Sequence, residues 1–345
     1  MSDKKYLVPF ILITSLFFLW GFARAILDVL NKHFQNALHI SITQSALIQV
    51  TTYLGYFLMA IPAGIFINKY GYRRGVVFGL LLFGLGAIFF ILGASIGSFS
   101  AFLFCLFVIG CGLVFLETAA NPYVTELGAR ETATSRLNLS QSFNGLGSIF
   151  ATFCIGQFLF NDTQQGGNVV IPYAILGVLV LAIAVVFSRV DLPEIQHQQT
   201  TEDKAKGSNI AKLFANHRMF VFGLFALLSY EVAEISINSY FINFVTGMHW
   251  MSDRTASLVL TLALAFFMVG RFLGSWIMRH IQATTMLLIC AVGSVVCIGL
   301  VLCDLGIVSL VAWWATIFSR QSCSLPSSAS PSRDWAISPS RHPRS

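Results

Sequence analysis

The chain has 345 residues, of which 56% are hydrophobic and only 10% charged, with a formal net charge of +6. An average soluble domain carries roughly 25% charged residues, so this composition excludes a water-soluble globule: there is too little polar surface to cover one. Hydrocarbon offers an open backbone no hydrogen-bond partner, and long continuous apolar runs therefore select membrane-spanning helices.

In chain order, a polar start (Met1-Ser2-Asp3-Lys4-Lys5) precedes a first apolar span at 7–30. It is longer than the apolar region of a signal peptide and lacks a small-residue cleavage site, which makes it a retained helix. Further spans are expected at 44–67, 75–94, 99–122, 137–160, 169–188, 219–246, 255–278 and 284–303, while a tenth run, 306–318, is short of the roughly 20 residues a crossing needs. Positive charge concentrates on one side, as cytoplasmic loops do. With the N-terminus cytoplasmic, Lys4, Lys5, Lys69, Arg73, Arg74 and Arg189 fall inside, and the outer loops hold only Lys32 and Arg254. The charge thus reports topology and not a nucleic-acid partner.

The spans organise as an N-terminal six-helix bundle (1–190), a cytoplasmic linker (191–217), an incomplete C-terminal bundle (218–318) and an aberrant polar tail (319–345). The turn Gly64-Ile65-Phe66-Ile67-Asn68-Lys69-Tyr70-Gly71-Tyr72-Arg73-Arg74 has a counterpart in Gly274-Ser275-Trp276-Ile277-Met278-Arg279. A six-helix unit repeated across a central loop resembles the internal symmetry of major facilitator transporters, whose substrate lies between the halves. The tail holds ten Ser, four Pro and four Arg, a composition that rules out a membrane helix. Codons compatible with Gln321-Ser322-Cys323-Ser324-Leu325-Pro326-Ser327-Ser328 give, in another frame, Ile-Met-Phe-Pro-Thr-Ile-Phe, so a frameshift near Ser319 is expected.

A charge inside a span costs about 2.5 to 3.5 kcal/mol on insertion scales and marks function by default. Arg24 and Asp28 lie in span one, Glu117 in span four, Glu231 and Glu234 in span seven and Arg271 in span eight. Asp28 and Glu117 are the candidate proton-coupling groups, because a carboxyl in a low-dielectric cavity can exchange protons near physiological pH. The alternatives are structural: Asp28 paired to Arg24 one turn earlier, and Glu117 paired to Arg136 or Arg130 at the cytoplasmic end. Pro122 follows Glu117 in span four, removes a backbone hydrogen bond and breaks the helix in a way that suits a cavity wall. In span five Asn138, Gln141 and Asn144 form a stripe of amides suited to sugar hydroxyls, although such residues also join membrane helices. In span seven Tyr230, Glu231, Glu234, Asn238 and Tyr240 interleave polar groups with rings.

Other signals point to no enzyme. Gly93-Ala94-Ser95-Ile96-Gly97 matches G-x-S-x-G but falls between membrane helices instead of between a strand and a helix. Neither a phosphate-binding loop nor an H-E-x-x-H zinc site is present, and the cysteines form no C-x-x-C pair, so no cofactor or metal is expected. His33, His39 and His249 lie near outer loops and are expected in solvent.

Four segments, FLWGFA at 18–23, LETAANPY at 116–123, RLNLSQSFNGLG at 136–147 and GRFLG at 270–274, together resemble the fucose/proton symporter family of the major facilitator superfamily. The likeness spans residues 7–318. It implies an all-α fold of two six-helix halves, the second incomplete here at about ten of twelve helices, and alternating access in a bacterial inner membrane. Its substrates would be a proton and a neutral monosaccharide of the fucose, glucose or galactose type, carried by a monomer in the lipid bilayer. The family's two essential carboxylates match Asp28 and Glu117, its span-five amides Gln141 and Asn144, and its span-seven polar face Tyr230 and Glu234; Asn138 and Asn238 extend those faces. Arg24, Ala25 and Leu27 stand where fucose permeases carry Asn, which makes Arg24 a charge partner or a substrate contact. Gly64, Asn68, Arg73, Arg74, Arg271 and Arg279 belong to the gating loops, with Asn68 in place of the superfamily's Asp. The competing readings are a sugar sensor on a transporter fold, a non-functional truncated transporter, and an intramembrane enzyme, for which no nucleophile and base are grouped at one depth.

The frameshift has a direct test in the coding DNA. An alternate frame after Phe318 is expected to stay open and apolar through the rest of the tenth span and two more of about 20 residues each; stop codons early in both other frames would refute it.

Overall fold

The structure is a computed structural model that describes residues 3–128, 133–160, 169–190, 218–277, 283–303, 308–309 and 311–316. Among these residues the regular structure is helical throughout. The long helices are α1 (Asp3–Leu38), α2 (Ile42–Tyr70), α3 (Tyr72–Ile96), α4 (Phe99–Glu126), α5 (Ala133–Leu159), α6 (Val170–Arg189), α7 (Arg218–Gly247), α8 (Asp253–Ile277) and α9 (Ala283–Leu302). Seven of them, α1 to α7, are long and apolar enough to cross a membrane, and α9 adds a shorter apolar stretch, Leu288–Leu302. The linker 191–217, the tail 319–345, Arg130 and Arg279 lie outside the described residues, as do residues 306, 307, 310, 317 and 318 of the expected tenth run.

Helix ends follow local chemistry. Ser41 caps α2 in a capping box: its side chain accepts from the Gln44 amide at 3.1 Å and Gln44 returns the bond to the Ser41 amide at 3.0 Å. At the other end of α2 only Gly71 separates it from α3, in a conformation (φ 88°) open to glycine. The expected turn at 64–74 therefore shrinks to one residue. Gly64 and Asn68 lie within α2 and Arg73 and Arg74 within the first turn of α3. Arg73 reaches across to the Phe187 and Ser188 carbonyls at the end of α6, satisfying acceptors that a helix terminus leaves open. The G-x-S-x-G match is the last turn of α3, closed by left-handed Gly97.

Three other expectations change. α1 continues past residue 30 to Leu38, so Lys32 sits on a helix, and Arg254 likewise belongs to α8. His33 is buried at 8% exposure instead of solvated. Pro122 does not break α4, which runs unbroken from Phe99 to Glu126, because a proline near a helix end disturbs only the turn before it.

Contacts divide the chain into two compact units, Met1–Leu260 and Thr261–Ser345. In the first, α3 packs on α4 and α6, α1 on α5, and α2 on α4. Glycines permit these approaches: a Cβ at Gly21 would meet the Asn144 carbonyl of α5, and one at Gly147 the Phe18 carbonyl of α1. Small residues at the contact are how helices approach in lipid, where apolar surface gains nothing by turning inward. A core of rings fills the gaps, with Phe90 stacked on Tyr173 at 3.9 Å and Phe34 against Phe102 at 5.0 Å. Large side chains such as Ile61, Ile65, Leu92 and Phe104 remain exposed, as a lipid-facing surface requires. In the second unit Phe266 lies 5.5 Å from Trp314, and Ser309 donates to the Leu300 carbonyl at 3.1 Å.

Gly147→Ala places a methyl group on a backbone carbonyl and is expected to cost about 1 to 3 kcal/mol, seen as a lower melting temperature in detergent. Gly64→Ala is the control, since nothing lies within 4 Å of a Cβ there; equal melting of the two variants would refute the close-packing account.

Candidate functional site

The site is built on α1, α2, α4 and α7. Tyr53, Tyr56, Phe57, Ala60, Val114, Glu117, Thr118, Asn121 and Pro122 line an open cavity of about 650 Å³ between α2 and α4, within the ~300 to 1,000 Å³ of small-molecule sites. Glu117 forms no hydrogen bond or ion pair with a described residue, so its expected alternative pairing to Arg136 is absent. Arg136 instead donates to the Val124 and Thr125 carbonyls at 3.1 and 2.9 Å, fastening α5 to the end of α4. Of the span-five amides, Gln141 donates to the cavity-lining Asn121 at 3.3 Å. Asn144 meets Gly21 of α1 through its backbone, and its side-chain nitrogen is buried with no partner among the described residues. Asn138 is half-buried, and its carbonyl accepts from Ser142 at 2.9 Å.

Arg24 does not pair with Asp28. Its guanidinium lies 3.3 Å from Glu231 and 4.0 Å from Glu234 on α7 and donates to the Tyr53 hydroxyl at 3.2 Å. Rotation explains this: residues four apart share a face, but the extended Arg side chain finds two carboxylates across the helix interface. The cation thereby joins α1, α2 and α7 at the level of the cavity. Beside it, Trp20 donates to the Tyr56 hydroxyl at 2.8 Å, and the Tyr53 and Tyr56 rings are 5.7 Å apart.

Asp28, one turn along α1, accepts from Ser239 of α7 at 2.6 Å and from Gln49 of α2 at 3.4 Å. It is not hydrogen bonded to Glu117. Asn238 is half-buried, and its side-chain oxygen has no partner among the described residues. Tyr230 and Arg271 lie on α7 and α8, with their side chains outside the described set, so the structure adds nothing to those two expectations.

Sequence reasoning missed Trp20, Tyr53, Tyr56, Asn121, Gln49 and Ser239. Two of these stand inside the quoted motifs, Trp20 in FLWGFA and Asn121 in LETAANPY. A further signal was available in α2, where Gln49, Tyr53 and Tyr56 recur at i, i+4 and i+7 and so share one face.

Removing Arg24 leaves Glu231 and Glu234 without a cation among the described residues. Arg24→Ala is expected to lower the melting temperature, and adding Glu231→Gln to recover part of the loss; a double variant no more stable than the single one would show that charge balance is not what Arg24 supplies here.

The profile of the Major Facilitator Superfamily matches residues 13–331. The L-fucose-proton symporter of Haemophilus influenzae (strain ATCC 51907 / DSM 11121 / KW20 / Rd) is 32% identical over 317 residues, covering 84% of this chain and 73% of that protein. The glucose/galactose transporter of Brucella abortus biovar 1 (strain 9-941) is 35% identical over 290 residues, covering 81% and 69%. Among solved structures, the Escherichia coli fucose:proton symporter FucP superposes with a TM-score of 0.69 at 31% identity, over 93% of this chain and 83% of that one. The E. coli xylose transporter XylE, in a partially occluded inward-open conformation, shares the fold at a TM-score of 0.74 and 14% identity, over 92% and 84%.

Proposed function

Because this chain belongs to the fucose/proton symporter family of the major facilitator superfamily, we propose that it is a secondary active transporter carrying a neutral monosaccharide with a proton by alternating access. The observation that carries this reading is the 650 Å³ cavity in which Glu117 faces Tyr53, Tyr56, Thr118 and Asn121. Rings present an apolar face to the C–H side of a sugar, while hydroxyls and amides meet its hydroxyl groups. A carboxyl without a fixed partner inside such a cavity is free to take up and release a proton as it fills and empties.

Charge narrows the substrate class. Around the cavity, Asp28, Glu117, Glu231 and Glu234 outnumber the cation Arg24 among the described residues, which disfavours acidic sugars and sugar phosphates. Fucose, glucose and galactose, the substrates in the relatives' names, are neutral. In this reading Asp28 and Glu117 exchange the proton; Tyr53, Tyr56, Asn121 and Gln141 contact the sugar; and Asn138, Asn144, Tyr230, Glu234 and Asn238 complete the polar faces when the halves close. The chain is a multi-pass protein of a bacterial inner membrane with its N-terminus cytoplasmic, so that α1 runs from the inner face at Asp3 to the outer face at Leu38. Gly64, Asn68, Arg73, Arg74, Arg271 and Arg279 work at the inner gate.

Two measurements test this. Uptake of fucose, glucose, galactose and N-acetylglucosamine into vesicles under an imposed proton gradient is expected to select a neutral hexose; no gradient-dependent uptake of any of the four would remove the proposal. Glu117→Gln keeps shape and hydrogen bonding but releases no proton, so accumulation is expected to collapse while sugar exchange persists. Unchanged sugar-induced proton uptake in that variant would strip Glu117 of the coupling role.

A further inference from the structure

Arg24 and its neighbours form a polar cluster that adjoins the cavity and has hydrogen-bonding capacity to spare. The guanidinium donates through Nε to the Tyr53 hydroxyl at 3.2 Å and through a terminal nitrogen to Glu231 at 3.3 Å. A guanidinium carries five N–H groups, so three are left, and none of them has an acceptor among the described residues. Glu234 lies 4.0 Å from the same terminal nitrogen, too far for a hydrogen bond, and accepts none from a described residue. Its side chain is 15% exposed, against 44% for Glu231 and 34% for Arg24. Glu231 is therefore a counter-ion open to water, and Glu234 a mostly buried acceptor with nothing to accept.

Tyr53 links this cluster to the cavity. Guanidinium N–H groups only donate, so the Tyr53 oxygen is the acceptor in its bond to Arg24 and its own O–H is left to donate. Tyr53 also lines the cavity of about 650 Å³ together with Glu117. Unused donors on Arg24 and Tyr53 and an unused acceptor on Glu234 thus stand side by side at its edge.

An ion pair that only held α1 to α7 would be short and matched one to one. Charge-assisted N–H···O bonds run about 2.7 to 2.9 Å, and a pair removed from water gains little over apolar packing of the same volume. Here one cation serves two carboxylates, at 3.3 and 4.0 Å. A gap of 4.0 Å is one that a single oxygen, about 2.8 Å from each end, can bridge. A hydroxyl suits that place, since it accepts from the guanidinium and donates to the carboxylate at once. A carboxylate or phosphate offers acceptors alone and meets Glu234 with like charge; an ammonium offers donors alone and meets Arg24.

We propose that Arg24 and Glu234 are specificity-determining residues that together read one hydroxyl group of the transported sugar, with Tyr53 donating to an oxygen beside it. This subsite rests on the symport reading for its ligand and adds to it a donor-and-acceptor requirement at one ring position. It is separate from the proton groups: Arg24 serves the sugar and not Asp28.

The test is equilibrium binding to the purified 345-residue chain, measured by calorimetry with glucose, galactose and fucose and with the single-deoxy forms of whichever of the three binds tightest. Deleting the hydroxyl that the charged pair reads is expected to weaken binding about 10- to 100-fold at one ring position, the range of a hydrogen bond to charged groups. In Glu234→Gln and in Arg24→Lys the penalty at that position is expected to fall below about 3-fold, with the penalties at the other positions kept. Gln lacks the charge, and Lys keeps the charge but not the planar fork. The same penalty in the parent and in both variants overturns the subsite. So does an Arg24→Lys chain that keeps the parent's full penalty, because charge alone then suffices. A lower melting temperature with unchanged dissociation constants makes the cluster a structural contact and overturns it as well. The two readings fail differently: a parent that binds none of the three sugars overturns the symport reading and the subsite with it, whereas binding with unaltered penalties overturns the subsite alone.

Discussion

Hydrocarbon gives the polar side chains of α1 no water to bond with, so most of them must find partners on neighbouring helices, and the arrangement of the first compact unit follows from that constraint. Within 36 residues α1 carries Arg24, Asp28, Asn31, Lys32, Gln35 and Asn36. Each finds its partner on a different helix: Tyr53, Ser45 and Gln49 on α2, Glu231, Ser239 and Asn243 on α7, Asp253 on α8. On its other face α1 meets α5 through Gly21 and Gly147, a contact so close that no side chain fits between the backbones. One face of the helix is therefore fixed by packing and the other by polar bonds that can exchange.

That division matches what a carrier requires. The α1–α5, α2–α4 and α3–α4 contacts are close and glycine-lined, with the Thr14–Ser140 bond and the Ser148 bond to the Gly21 carbonyl adding to the first. The contacts of α1 and α2 with α7 are hydrogen bonds and ion pairs, which break one at a time and can be re-formed with water once the mouth opens. Glu117 sits with its cavity on the glycine-packed side, Asp28 at the polar seam. Two carboxyls thus have different surroundings, Glu117 in the cavity wall and Asp28 at the contact with α2 and α7, and Arg24 is bonded to Tyr53 of that same cavity.

The amino-acid sequence by itself determined that this is a helical membrane protein and which charges fall within its apolar runs, because the bilayer's demand for apolar length and satisfied backbone groups is written residue by residue. It also marked Asp28 and Glu117, since a carboxyl in an apolar run stands out, and its motifs marked the family. Its boundaries erred where amphipathic residues continue a helix beyond the apolar run, as at Asn31 to Leu38, and where one glycine suffices for a turn, as at Gly71. Only the tertiary structure decided who pairs with whom. The i, i+4 spacing allowed Arg24 to pair with Asp28, yet Arg24 reaches Glu231 some 200 positions away and Asp28 reaches Ser239. Nothing in the sequence near Tyr53 and Tyr56 shows that α4 brings Glu117 and Asn121 to the same cavity. Spacing along a chain fixes which residues share a face of one helix; which faces meet is set by the packing of all of them together, and no single helix carries that information.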